Sequence, residues 1–268
     1  MSCGWGVDFT GRAGRKGNTS VFKTVSVVAV VAAVGGLVAA LDAQPAEKVV
    51  PVHEEPRHRL VFDSPGTRIL DVNVPPGDTT LFHTHSDPIL YVNMSASQTR
   101  SQTLGGEWSG GDVAQGASAK PQPAGPQPAA FRPGRITSTT SYAKQPLTHR
   151  VHNVGQTLFR LIGVTNASAG DEGTAASEGF EAAPEMGNRW FRGYRWMVDP
   201  AAIKHQHANP VAIVLISGRV MAQGATEATL SAPGAFAWFE GGDPHSVRAI
   251  DGAAEVVEVE VRRPPRPQ

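Results

Sequence analysis

One histidine phrase occurs twice in this chain: His83-Thr-His-Ser-Asp-Pro88 returns as His205-Gln-His-Ala-Asn-Pro210. Each copy runs directly into an apolar stretch, Ile89-Leu-Tyr-Val or Val211-Ala-Ile-Val, and a further histidine, His149 or His245, lies downstream. In an extended strand residues i and i+2 point to the same face, so each His-x-His sets two imidazoles side by side. A third imidazole from a neighbouring strand would complete a facial metal site. The repeat points to two similar β units, with His83, His85, His149, His205, His207 and His245 as candidate metal ligands.

The rest of the chain agrees with that organisation. From Val49 onward, short apolar stretches alternate with turn residues. Arg68-Ile-Leu-Asp-Val-Asn-Val, Pro75-Pro-Gly-Asp and Thr80-Leu-Phe-His-Thr-His read as strand, turn and strand. Gly (29) and Pro (21) are plentiful, as expected of short strands joined by many turns. Outside the N-terminal segment no long stretch has strong helical periodicity, so the expected class is all-β. Matching Pro76 with Pro200 sets Arg68 against Arg192, and matching His83 with His205 sets Pro88 against Pro210 and Val92 against Val214. The first unit is expected over residues 49–165 and the second over 185–264. Residues 105–134, rich in Gly, Pro, Ala and Gln, read as an exposed insertion, and 166–184 as an interdomain linker.

Val25 to Leu41 is an uncharged, predominantly apolar run preceded by Arg12, Arg15, Lys16 and Lys23, with small residues after it. Residues 1–43 therefore read as a signal peptide, an uncleaved N-terminal anchor being the alternative, and the bulk of the chain is expected outside the cytoplasm, periplasmic or secreted. The single cysteine, Cys3, precedes this run, so no later thiol can form a disulfide or bind a metal. Lys and Arg number 24, as do Asp and Glu; without 1–43, which holds four basic and two acidic residues, 20 face 22. That balance gives no argument for nucleic acid as a partner. A small-molecule ligand or substrate is the expected partner, and a homodimer stays open.

These motifs resemble those of the cupin superfamily, and specifically of a bicupin. Gly77, His83 and His85 fit the spacing of the family's first motif, and His149-Arg-Val-His-Asn153 fits the end of its second. In the second half His205 and His207 lack the motif glycine, while Gly242-Asp-Pro-His245 fits, with Ala249 where the family has Asn. The resemblance implies a double-stranded β-helix (jelly-roll) barrel for each half. Cupins typically add a motif-one glutamate as a fourth ligand, and here that position is Ile89 or Val211. The resemblance therefore implies three-histidine sites, as in dioxygenase-type cupins, and speaks against a glutamate-dependent decarboxylase mechanism.

Three neutral imidazoles would leave a divalent ion its full charge and open positions for an anionic or chelating ligand. Fe, Zn, Mn and Ni are all compatible. The leading expectation is a metal-dependent oxidoreductase of dioxygenase type acting on a small carboxylate or phenolic compound. A non-catalytic sugar- or small-molecule-binding bicupin, or a structural one, is the alternative. Arg68 and Arg192 are weaker candidates for clamping a substrate carboxylate, and Asp87 for a fourth ligand or general base. Trp190, Tyr194 and Trp196 alternate along one strand and could wall a pocket. His53 and His58, in a charged leading strand, read as solvated; His152 reads as outward, and Tyr91 is given no role.

Overall fold

A computed structural model describes residues 47–110, 132–173, 178–180 and 182–264. Residues 1–43, expected to be a signal peptide or anchor, and the middle of the insertion, 111–131, lie outside the described residues. Ten strands form the first half: β1 (Val49–Pro51), β2 (His58–Ser64), β3 (Thr67–Val74), β4 (Phe82–His85), β5 (Ile89–Ser95), β6 (Thr99–Thr103), β7 (Trp108–Ser109), β8 (Ile136–Thr139), β9 (Leu147–Asn153) and β10 (Phe159–Thr165). Nine form the second: β11 (Met186–Gly187), β12 (Phe191–Val198), β13 (Ile203–His205), β14 (Val211–Ser217), β15 (Val220–Gln223), β16 (Glu227–Leu230), β17 (Phe236–Phe239), β18 (His245–Ala249) and β19 (Ala254–Val261). The class is all-β, as the sequence predicts.

Each half is built from two sheets. In the first, β1-β4-β9-β6-β7 accompanies β2-β3-β10-β5-β8; in the second, β13-β18-β15-β16 accompanies β11-β12-β19-β14-β17. The central strands of the sheets β2-β3-β10-β5-β8 and β11-β12-β19-β14-β17, above all β3, β10, β14 and β19, are buried on both faces. Leu70, Val72, Val74, Ile89 and Leu161 fill the first barrel, while Val211, Ile213, Leu215 and Val256 pack with Val220, Val247 and Phe239 in the second. The alternate residues of the same strands meet in one shared core: Ile69, Leu90, Val92, Ile162 and Val164 against Ala212, Val214, Val257, Val259 and Val261. This double burial explains why Ile89-Leu-Tyr-Val and Val211-Ala-Ile-Val are continuously apolar instead of alternating.

Both halves share this core within one compact unit, Ala46–Gln268. The proposed linker is also pinned into the fold. Asn166 is fully buried and donates from Nδ2 to the carbonyls of Trp190 (3.0 Å) and Arg262 (2.8 Å). Glu178 bridges to Gln206, between the two histidines of the second phrase. The insertion's ends are structural as well. Trp108 and Ser109 form β7 against β6, and the Gly134 N–H donates to Asn93 O at 2.8 Å. The turns that lead to the histidines need glycine: Gly77 has φ 78° and Gly242 φ 84°, where a Cβ is strained.

Candidate metal centres

The two halves place their histidines alike. His83 on β4 pairs directly with His149 on β9, and His205 on β13 with His245 on β18. His85 and His207 follow two residues after the first histidine of each phrase. Ring centroids lie 4.6 Å apart for His83–His149, 5.1 Å for His83–His85 and 5.2 Å for His85–His149. The second set gives 4.4 Å for His205–His245, 5.3 Å for His205–His207 and 5.6 Å for His207–His245. The structure thus gathers the second predicted set by its donor atoms, whereas in the first His149 is near by ring centroid but lies outside the group of mutually close donor atoms.

Backbone carbonyls orient several of these rings. Nδ1 of His83 lies 2.9 Å from Leu81 O, and Nδ1 of His245 lies 3.1 Å from Asp243 O. The Ser101 hydroxyl takes Nδ1 of His149 at 2.9 Å. A ring that donates from Nδ1 turns the lone pair of Nε2 to the other side, as metal-bound histidines require. Nε2 of His83, His149 and His245 is buried with no hydrogen-bond partner among the described residues. Buried, unpartnered acceptors are costly unless a cation or proton meets them. On that ground both clusters fit a divalent ion.

Each centre has a fourth donor that sequence reasoning missed, and the two differ. In the first half it is His58, expected to be solvated but 6% exposed. Donor atoms of His58, His83 and His85 all lie within 4.8 Å of one another. In the second half it is Glu258 on β19, fully buried, whose Oε2 lies 3.0 Å from Nε2 of His205 and 2.9 Å from Nε2 of His207. A carboxylate therefore joins the second set from the last strand, which corrects the expectation of two glutamate-free sites. Glu258 pairs with Tyr194 and Ile213, while Gly163 on β10 pairs with Leu70 and Tyr91 at the matching position of the first half. A Cβ on Gly163 would meet Ile89 Cδ1 at 3.0 Å, a tight approach, and glycine itself brings no donor to this place in the first barrel.

Electrostatics differ accordingly. Burial, reinforced by neighbouring imidazoles, lowers His83 and His85 to about 2 and His149 to about 4. These rings are neutral at pH 7 and available as ligands. In the second centre burial likewise lowers His245 to about 4. For His207 burial acts downward, but Glu258 and Glu260 outweigh it and push the ring up to about 9. For Glu258 burial acts upward, and the hydrogen bonds with His205 and His207 overcome it to hold the carboxyl at about 2. Without an ion this centre holds a proton on His207, which an incoming ion must displace.

The surroundings differ too. The second centre is walled by aromatic rings: Phe180 stacks on His205 (4.6 Å, 21°) and Phe239 on His245 (4.5 Å, 8°). Tyr194 donates to Glu260 at 3.3 Å and Trp196 Nε1 to Glu258 Oε1 at 3.2 Å. Of the expected aromatic wall, Trp190 faces elsewhere, donating to Ser168 O and packing on the shared core. In the first centre Tyr142 stacks on His85 (4.9 Å, 25°), and a hydrogen bond joins Tyr142 to Tyr91. Burial raises both phenols, Tyr91 well above its ordinary value, so both keep their protons at pH 7.

The weaker candidates fall outside the donor sets. Arg68 Nε lies 3.5 Å from Asp63. Arg192 lies 3.4 Å from Glu260, which also accepts from Asn209 Nδ2 at 2.8 Å and so braces the region beside His207. Asp87 sits in the turn between β4 and β5 and does not join the grouped donors. His152 bonds Thr79 Oγ1 at 2.8 Å, on the outer side of β9.

No family model matches the sequence, and no curated protein does. Among solved structures, a salicylate 1,2-dioxygenase from Pseudaminobacter salicylatoxidans has TM-score 0.50 at 10% identity, covering 74% of this chain and 71% of that one. AerE from Microcystis aeruginosa gives 0.49 at 10% identity over 75% and 90%. A cupin 2 conserved barrel domain protein from Leptotrichia buccalis gives 0.45 at 9% over 76% and 87%. At such identities the likeness concerns fold alone. Two sheet pairs in tandem, each with a His-x-His whose first histidine faces a third directly across the sheet, give this chain a fold like that of the tandem-barrel cupin structures.

Proposed function

We propose that the protein is a metal-dependent oxidoreductase of dioxygenase type acting on a small carboxylate or phenolic compound, with the chemistry in the first barrel. The observation that carries this reading is the convergence of neutral, buried imidazoles at His83, His85 and His149, two of them with unpartnered Nε2 atoms. Such a nitrogen set would hold a divalent ion, which when bound would supply Lewis acidity and, as iron, oxygen activation. The first centre's grouped donors include no carboxylate, so they cancel none of the ion's charge. That favours an anionic partner. Tyr142, stacked on His85 and bonded to Tyr91 behind it, is a protonated donor suited to a substrate carboxylate or phenolate oxygen. Glu258 instead offsets one charge at the second centre, and the rings of Phe180, Tyr194 and Trp196 crowd it. We assign that centre a structural metal.

The apolar run at Val25–Leu41 supports export, and on that ground we propose that the working protein lies outside the cytoplasm. N-terminal sequencing of the protein recovered outside the cytoplasm tests this, and a chain beginning at Met1 in the cytosol would overturn it.

The functional test is metal analysis followed by oxygen uptake with iron-loaded protein on a panel of hydroxybenzoates, catechols and 2-oxo acids. Oxygen consumption that vanishes in His83→Ala and survives in His207→Ala supports the assignment. Tight binding of a panel member without oxygen uptake would replace the enzyme by the non-catalytic binding reading. Failure to take up any ion would remove both.

A further inference from the structure

We propose that His58 is a ligand of the first centre in its own right, making it an all-imidazole site of four histidines, and that Glu55 is the residue that positions it. This rests on the reading that the first cluster takes a divalent ion. His58 lies on β2, outside both histidine motifs, yet its ring is the nearest neighbour of His83 by centroid distance: 4.3 Å, against 4.6 Å for His149. The ring is 6.3 Å from His85.

A histidine buried for packing alone would not need the apparatus found here. Glu55, 2% exposed, accepts from His58 Nδ1 at 2.6 Å and from the Arg57 N–H at 2.7 Å through Oε2, and from the Leu81 N–H at 3.1 Å through Oε1. With Nδ1 committed to the carboxylate, Nε2 is the atom left to meet an ion. Leu81 ties this pair to the motif. Its N–H donates to Glu55 while its carbonyl takes Nδ1 of His83. One peptide residue thus fixes the rings of His58 and His83 relative to each other. The carboxylate remains one bond away from the cluster, so it raises the basicity of the ligand without lowering the number of nitrogen donors.

Among the described residues the second half has no such pair; its fourth donor is the carboxylate of Glu258. On this assignment the two barrels offer different sets: the grouped nitrogens of His58, His83 and His85 with His149 as the outlying fourth in one, and three nitrogens with an oxygen in the other. All-nitrogen sets favour later, softer divalent ions, while a carboxylate widens the choice to harder ones such as Mn(II).

The test is competitive titration of the metal-free, full-length protein with Co(II) against a chromophoric chelator. The wild-type protein is compared with His58→Ala, His58→Gln, Glu55→Gln and His83→Ala. We expect two ions per wild-type chain and one in His83→Ala. His58→Ala and His58→Gln should weaken one of the two ions at least tenfold and leave the other unchanged, with millimolar imidazole restoring His58→Ala. Glu55→Gln should weaken the same ion by about 10- to 100-fold. If both His58 variants keep both affinities while His83→Ala loses an ion, His58 is no ligand, although the centre stands. A wild-type chain that binds no ion would sink the proposal together with the metal reading. Should the His58 variants fail to fold, pulsed EPR of Cu(II) bound to His207→Ala decides: four coupled imidazoles support the assignment and three overturn it.

Discussion

At the residue scale, the two clusters are opposite solutions to burying histidines. In the first, the rings are kept uncharged by burial and by each other; in the second, His207 is kept charged by two carboxylates. Stability should register this with opposite signs. His83, His85 and His149 titrate in the folded chain at about 2, 2 and 4, below their ordinary 6.5. The unfolded chain binds those protons first, so metal-free protein should lose stability as pH falls below 6.5 through these values. His207, raised to about 9, should contribute fully below 6.5 and lose its contribution as pH rises through 9. Urea denaturation of the metal-free protein across this range should show both limbs, and His207→Gln should flatten the alkaline one. An unchanged alkaline limb in that variant would refute the pairing with Glu258. Metal analysis gives a second residue-scale expectation: His85→Ala should empty only the first centre and His207→Ala only the second, each losing one ion per chain. One substitution that emptied both would require a shared centre.

At the scale of elements, β10 and β19 carry the most weight, because each is central in its sheet and buried on both faces. Ile162 on β10 is fully buried in the shared core, so Ile162→Ala should cost about 2–5 kcal/mol, read from the shift in denaturation midpoint. A loss under about 1 kcal/mol would mean that the two sheets are not in register there. The insertion should behave differently. Excising 111–131, a Pro, Gly and Ala stretch, should leave the melting temperature nearly unchanged, whereas excising all of 105–134 also removes β7 and should lower it. The histidine pairs were legible in the sequence because strand parity is local: i and i+2 need no knowledge of the fold. His58 was not, because His58-Arg-Leu looks like a charged leading strand, and its burial depends on Glu55 and Leu81 closing around it. Glu258 was hidden by its pattern. In Glu255-Val-Val-Glu-Val-Glu-Val a glutamate face reads as solvent-facing, yet β19 is paired on both sides and turns Glu258 and Glu260 into the barrel. Two glutamates at i and i+2 on the last strand of a barrel were the available signal.

At the scale of the molecule, the halves cohere through the shared core. Arg160 adds a polar tie, donating to Asp71 at 3.0 Å within the first half and to Pro233 O at 2.9 Å in the second. Residues 184–264 expressed alone should expose Ala212, Val214, Val257, Val259 and Val261, and so aggregate or pair with a second copy. Size-exclusion chromatography would show this, and a well-behaved monomer would show that the core is not essential to either half. That core also has a bearing on how the two centres came to differ. When a one-barrel protein assembles from identical chains, every substitution appears in all copies at once, so a change that suits one site is forced on its twin. Joining the barrels in a single polypeptide removes that constraint. The mating faces must still match, but Gly163 and Glu258, at equivalent places on the inward faces of β10 and β19, can be chosen separately. A tandem chain can thus divide labour between two pockets that a symmetric assembly would have to keep identical.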